Sequence, residues 1–193
     1  MMRPNQLDAD RACVLVIDVQ EKLLPLVRDH DAIVSAIQKL LTAAPIFELP
    51  VIVTEQYPRG IGHTVEAVSA CLERGRDSII EKSAFSAWAE PSVREAILAV
   101  DRPQVIVTGI ETHVCVQQTA LDLASRDYDV YVCADAIGSR GRADHQRALE
   151  RMRQDGVWIT TVESVLFELC GRCDAPRFKP MLDVIKRFPP ASG

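Results

Sequence analysis

The chain has 193 residues, 48% of them hydrophobic and 25% charged, with a formal net charge of -5. That size and apolar share predict one globular domain with a full core. The negative balance gives little drive to wrap a phosphate backbone, so nucleic acid is not an expected partner. No run approaches the roughly 18 apolar residues of a membrane span, and MMRPNQLDADR lacks the apolar centre of a signal peptide. A cytoplasmic protein with no membrane partner is therefore expected.

In chain order, residues 1–11 read as an N-terminal extension, 12–188 as the domain and 189–193, within FPPASG, as a flexible tail. Apolar runs at 12–18 (ACVLVID), 50–55 (PVIVTE), 77–82 (DSIIEK), 104–110 (QVIVTGI), 129–135 (DVYVCAD) and 156–161 (GVWITT) suit buried strands. Between them, 33–49, 91–100, 113–125 and 142–154 have helical spacing, with Pro91 suited to a first turn and Pro45 set to kink or shorten the first helix. Residues 165–169 and 181–188 look helical too. Strands alternating with helices predict an α/β fold: a Rossmann-like three-layer domain with a six-stranded, mostly parallel sheet and helices on both faces.

In such a sheet, ligands bind beyond the carboxyl ends of the strands, near the point where strand order reverses. Asp18 ends the first strand, Lys82 ends the third, and Cys115 follows the fourth. Within VIVTGIETHVCVQQTALDL, Gly109 permits a tight exit and Thr112 is a good N-cap, which puts Cys115 about one turn into a helix whose dipole favours a thiolate. The alternative for Cys115 is a small buried residue filling that turn. Asp18 with Glu21 three residues later also fits a capping box, and Lys82 alone fits a solvated strand end. Together the three supply a base, a cation and a sulfur nucleophile, with backbone N–H groups of Glu111 and Cys115 as oxyanion donors. His113 precedes the cysteine by two helical positions and points away from it, so it reads as a pocket or surface residue.

Six cysteines without an export signal are expected to be reduced. Cys170 and Cys173 have CxxC spacing, but an apolar helical run closes on Gly171 instead of opening there, and no second ligand pair is evident for zinc.

The ordered segments IDVQEKLL, TEQYPRGIGHT, EKSAFSAW and GIETHVCVQQTALDL resemble the isochorismatase-like family of cysteine hydrolases, closest to its isochorismatase domain-containing branch. The resemblance implies a catalytic triad of Asp18, Lys82 and Cys115, homo-oligomers such as dimers or tetramers, and a cis peptide between Ile110 and Glu111. Nicotinamidases of this family hold a metal through an Asp and His residues after the second strand. Here Gln56 and Pro58 stand at those positions with only His63 nearby, so no metal and no other cofactor is expected. The expected activity is hydrolysis of a small amide-like C–N bond through a thioester. Gln20, Gln56, Tyr57, Phe85, Trp88 and His113 are candidate substrate-binding residues, with core or subunit contact as the alternative for Phe85 and Trp88. A non-catalytic oligomeric binding module that keeps the fold is the rival reading.

Overall fold

A computed structural model describes residues 6–73 and 75–189. Its centre is one sheet of six strands: β1 (Ala12–Ile17), β2 (Val51–Gln56), β3 (Ser78–Lys82), β4 (Gln104–Ile110), β5 (Asp129–Gly138) and β6 (Trp158–Thr160). Their order is β3-β2-β1-β4-β5-β6, and every pair is parallel. The expected sheet is thus found, with no antiparallel member. Strand order reverses between β1 and β4, and the crevice at their carboxyl ends is where this topology binds ligands.

Burial on both faces explains why the central strands read as unbroken apolar runs. Val14 and Val16 of β1 join one core cluster, while Cys13, Leu15 and Ile17 join the other. The first cluster packs under α1 (His30–Ala43), α7 (Val162–Cys170) and α8 (Phe178–Arg187); the second packs under α4 (Pro91–Val100), α5 (Gln117–Ala124) and α6 (Arg142–Gln154). Two single-turn helices, α2 (Pro58–Ile61) and α3 (Glu66–Ser69), lie in the connection after β2. The helix expected over 33–49 instead begins at His30 and stops at Ala43. Pro45, with no N–H to donate, opens a separate 3-10 turn over Ala44–Phe47. The described residues 6–11 of the N-terminal extension pack onto the domain: Leu7 is buried, and Arg102 donates to the Ala9 and Ala12 carbonyls. Of the expected tail, only Pro189 falls within the described residues.

Gly109 decides how closely β1 and β4 approach. At φ 114° it adopts backbone that L side chains avoid, and a Cβ there would sit 2.1 Å from the Ile17 carbonyl oxygen. Gly109→Ala is expected to lower stability by about 2–3 kcal/mol, read as a fall in urea midpoint at unchanged m. An alanine variant with wild-type stability would show that the strands separate freely.

Candidate active site

Three strands deliver the site. The chain leaves β1 at Asp18 with φ 54°, which turns the carboxyl group into the protein. The capping box is not formed: no helix starts here, and the Asp18 carboxylate is fully buried. Its Oδ1 accepts a 2.7 Å hydrogen bond from Thr54 of β2, and its Oδ2 lies 2.7 Å from the Lys82 ammonium at the end of β3. That second contact is a fully buried ion pair. The Cys115 thiol shares the same carboxylate. Asp18, Lys82 and Cys115 therefore meet at the carboxyl edge, where β1 and β4 part.

The turn bearing Cys115 differs from the capped helix start expected. Thr112–Val116 form one π-helical turn before α5, and Thr112 caps nothing; its hydroxyl shares a 2.9 Å hydrogen bond with His145 Nδ1. Such turns widen a helix by one residue per turn and occur at functional sites. The peptide from Ile110 to Glu111 is cis. The Glu111 side chain, 5% exposed, accepts from both the backbone N–H and the Nε of Arg140 at 3.0 Å, which fastens the β4 exit to the loop after β5.

Electrostatics correct the expected thiolate. Burial, and next the adjacent Asp18 charge, push the Cys115 thiol up to about 12, against a smaller opposing pull from Lys82. Burial also raises the Asp18 carboxyl above its ordinary range, despite the lowering influence of Lys82, Thr54 and Cys115. A helix start is outweighed here by desolvation and a neighbouring anion. The resting site is a protonated thiol beside a base of raised basicity.

Tyr57 and Phe85 are solvent-exposed, at 61% and 56%, on the loops after β2 and β3. Trp88 meets Tyr128 edge-on with Arg126 over its ring, and it packs against the α4–α6 core. His113 turns to Ser139 at 3.0 Å. Gln20 is fully buried, with its carboxamide bonded to Gln56 N, Gln56 O and Gly62 O. Gln56 reaches Lys82 through Oε1 at 2.7 Å and the Ser83 carbonyl through Nε2 at 2.8 Å. His63 pairs with Glu55 at 3.0 Å. Among the described residues, no group of three or more His, Cys, Asp or Glu is set to hold a metal. Cys170 and Cys173 are free thiols, and Gly171 caps the end of α7.

Sequence reasoning missed Thr54, a buried polar residue in an apolar strand, and that break in the run was the available signal. It also missed the ties from the loop after β3 to α5. Ser86 donates to Asp122 at 2.6 Å, and the Ala87 N–H donates to Thr119 at 2.8 Å. Thr119 donates in turn to the Cys115 carbonyl at 2.7 Å. A cavity of about 1030 Å³ between α1 and α7, lined by Lys39, Asp135, Glu163 and Phe167, contains none of the three meeting residues. Convergent polar chemistry, and not volume, locates the candidate site.

A parallel α/β sheet with a cysteine, a carboxylate and a lysine at its switch point defines the class, and the comparisons identify the family. The isochorismatase domain matches residues 12–164, and the chain belongs to the isochorismatase family. Isochorismatase domain-containing protein 2 of Xenopus laevis is 40% identical over 188 residues, covering 95% of this chain and 88% of that protein. Isochorismatase domain-containing protein 1 of Salmo salar is also 40% identical, over 91% of this chain, but the chain spans only 61% of that relative's length. Among solved structures, MAR1 ribonuclease from Caenorhabditis elegans superposes with a TM-score of 0.89 at 35% identity, covering 95% and 94% of the two chains. YcaC of Escherichia coli, described as an octameric hydrolase of unknown specificity, gives 0.89 at 29% identity over 98% and 94%. YcaC from Pseudomonas aeruginosa, solved with covalent acrylamide, gives 0.86 at 28% identity over 95% and 93%. Among the described residues, no helix is long and apolar enough to cross a membrane.

Proposed function

We propose that the protein hydrolyses a small, amide-type C–N bond through a thioester on Cys115. The observation that carries this reading is the buried Asp18 carboxylate, held by Lys82 and Thr54 and shared with the Cys115 thiol. As the sulfur attacks the carbonyl carbon, Asp18 takes the thiol proton, and the ammonium of Lys82 balances the charge that remains. N–H groups of Glu111 and Cys115 receive the tetrahedral oxyanion. Asp18 returns the proton to the departing nitrogen, and the C–N bond breaks to leave the thioester and a free amine. Water, deprotonated by Asp18, then cleaves the thioester to a carboxylic acid and restores the thiol.

Tyr57 and Phe85, exposed on the two loops beside the site, present apolar surface to a small neutral substrate. The octameric relative favours a homo-oligomer. Covalent acrylamide in another relative makes a small amide-bearing electrophile a sensible probe.

Cys115→Ser is expected to abolish amine release from a panel of small primary amides while leaving the far-UV spectrum unchanged. A serine variant of full activity would remove the thioester route. Because one relative is described as a ribonuclease, RNA belongs in the same assay. Cys115-dependent cleavage of RNA with no amide turned over would replace this reading.

A further inference from the structure

The Lys82 ammonium is fully engaged. Its Nζ lies 2.7 Å from Gln56 Oε1, 3.1 Å from the Ala84 carbonyl and 3.3 Å from the Phe85 carbonyl, all three as hydrogen-bond acceptors, and 2.7 Å from Asp18 Oδ2 as an ion pair. A lysine ammonium has three donors and no acceptor. Ringed by four oxygen partners, Lys82 acts on the site as a fixed positive charge.

Gln56 is the only side chain among those three acceptors, and it is itself clamped. Gln20 accepts from its N–H at 2.7 Å and donates to its carbonyl at 3.0 Å. Its own Nε2 donates to Ser83 O at 2.8 Å, which obliges Oε1 to face the ammonium. Ser83 is gripped in turn by Glu90, whose carboxylate feels the Lys82 charge from the far side of the same loop.

We propose that Gln56 is a positioning residue: its clamped, neutral carboxamide accepts from the Lys82 ammonium and holds it against Asp18 without adding a second negative charge. The ammonium then faces one carboxylate, Asp18, in direct contact, so its charge is not cancelled twice. The inference rests on the role given to Asp18 and Lys82 in the proposed reaction, but its test needs no substrate.

The test compares wild type, Gln56→Glu and Gln56→Met by the rate at which acrylamide alkylates Cys115 at pH 8, followed by peptide mass mapping. The Lys82 ammonium is observed in parallel by proton–nitrogen NMR. In Gln56→Glu a second carboxylate on the ammonium disfavours the thiolate, and the rate is expected to fall about tenfold. In Gln56→Met the acceptor is lost, and the protected ammonium signal is expected to broaden away while the rate falls by a smaller factor. Equal rates in all three folded proteins, with the ammonium signal retained, would overturn the proposal. Should Gln56→Met fail to fold, the near-isosteric Gln56→Glu decides alone. Absence of any hydrolysed amide, with these shifts present, would count against the proposed reaction and leave the positioning role standing.

Discussion

Asp18→Asn is expected to move two properties of the protein in opposite directions. Without a base for the thiol proton, amide turnover should fall by about 10²–10⁴-fold, the range ascribed to one general acid–base group. Alkylation of Cys115 by acrylamide at pH 8 should instead accelerate, by about tenfold or more. The reason lies in what raises the thiol: after burial, the largest contribution is the Asp18 charge, while Lys82 pulls the other way. Replacing the carboxylate with an amide deletes the first influence and leaves the second. A site with a preformed thiolate sustained by Asp18 would behave differently, losing turnover and alkylation together. Parallel measurement of both rates on one preparation separates the two mechanisms.

Lys82→Met is expected to cost about 3–5 kcal/mol of folding stability at pH 7, because it strands a charge inside the protein. The side chains of Lys82 and Asp18 are both 0% exposed, and Oδ2 would lose its 2.7 Å partner. The pH dependence has a definite sign. The native carboxyl is already raised above its unfolded value, so above that value the native state holds the proton more tightly than the unfolded chain, and stability declines as pH rises through the window. Removing Lys82 widens the window upward, so acidification should restore part of the loss. The double substitution Asp18→Asn, Lys82→Met should recover most of it, since two neutral groups replace one stranded ion. Urea denaturation of the four proteins closes the cycle. Additive losses would mean that the two charges do not support each other.

The six strands and their parallel arrangement were legible because strands buried on both faces print as apolar runs, and the turns between helices and strands interrupt them. Helix limits were less so, as at Pro45, where a residue that stops one helix also starts a 3-10 turn. That Asp18, Lys82 and Cys115 would share one edge could be read from strand ends alone. Their electrostatics could not. The thiol's environment depends on Asp18 turning inward at positive φ and on a π-turn in place of a capped helix, both set by tertiary contacts. Gln20 and Gln56 were legible only as candidate substrate contacts. Here one braces the other's backbone, a pairing across 36 positions that no local pattern encodes.

The resting state of Cys115 also bears on its survival. Oxidants and stray electrophiles attack thiolates, and the first steps of sulfur oxidation follow thiolate character and exposure. A sulfur 5% exposed and protonated at neutral pH is a poor target, whereas Cys173 stands open on the surface. Oxidants would thus meet Cys173 before Cys115, and in the proposed reaction the nucleophile is unmasked only by a substrate that fits against Asp18.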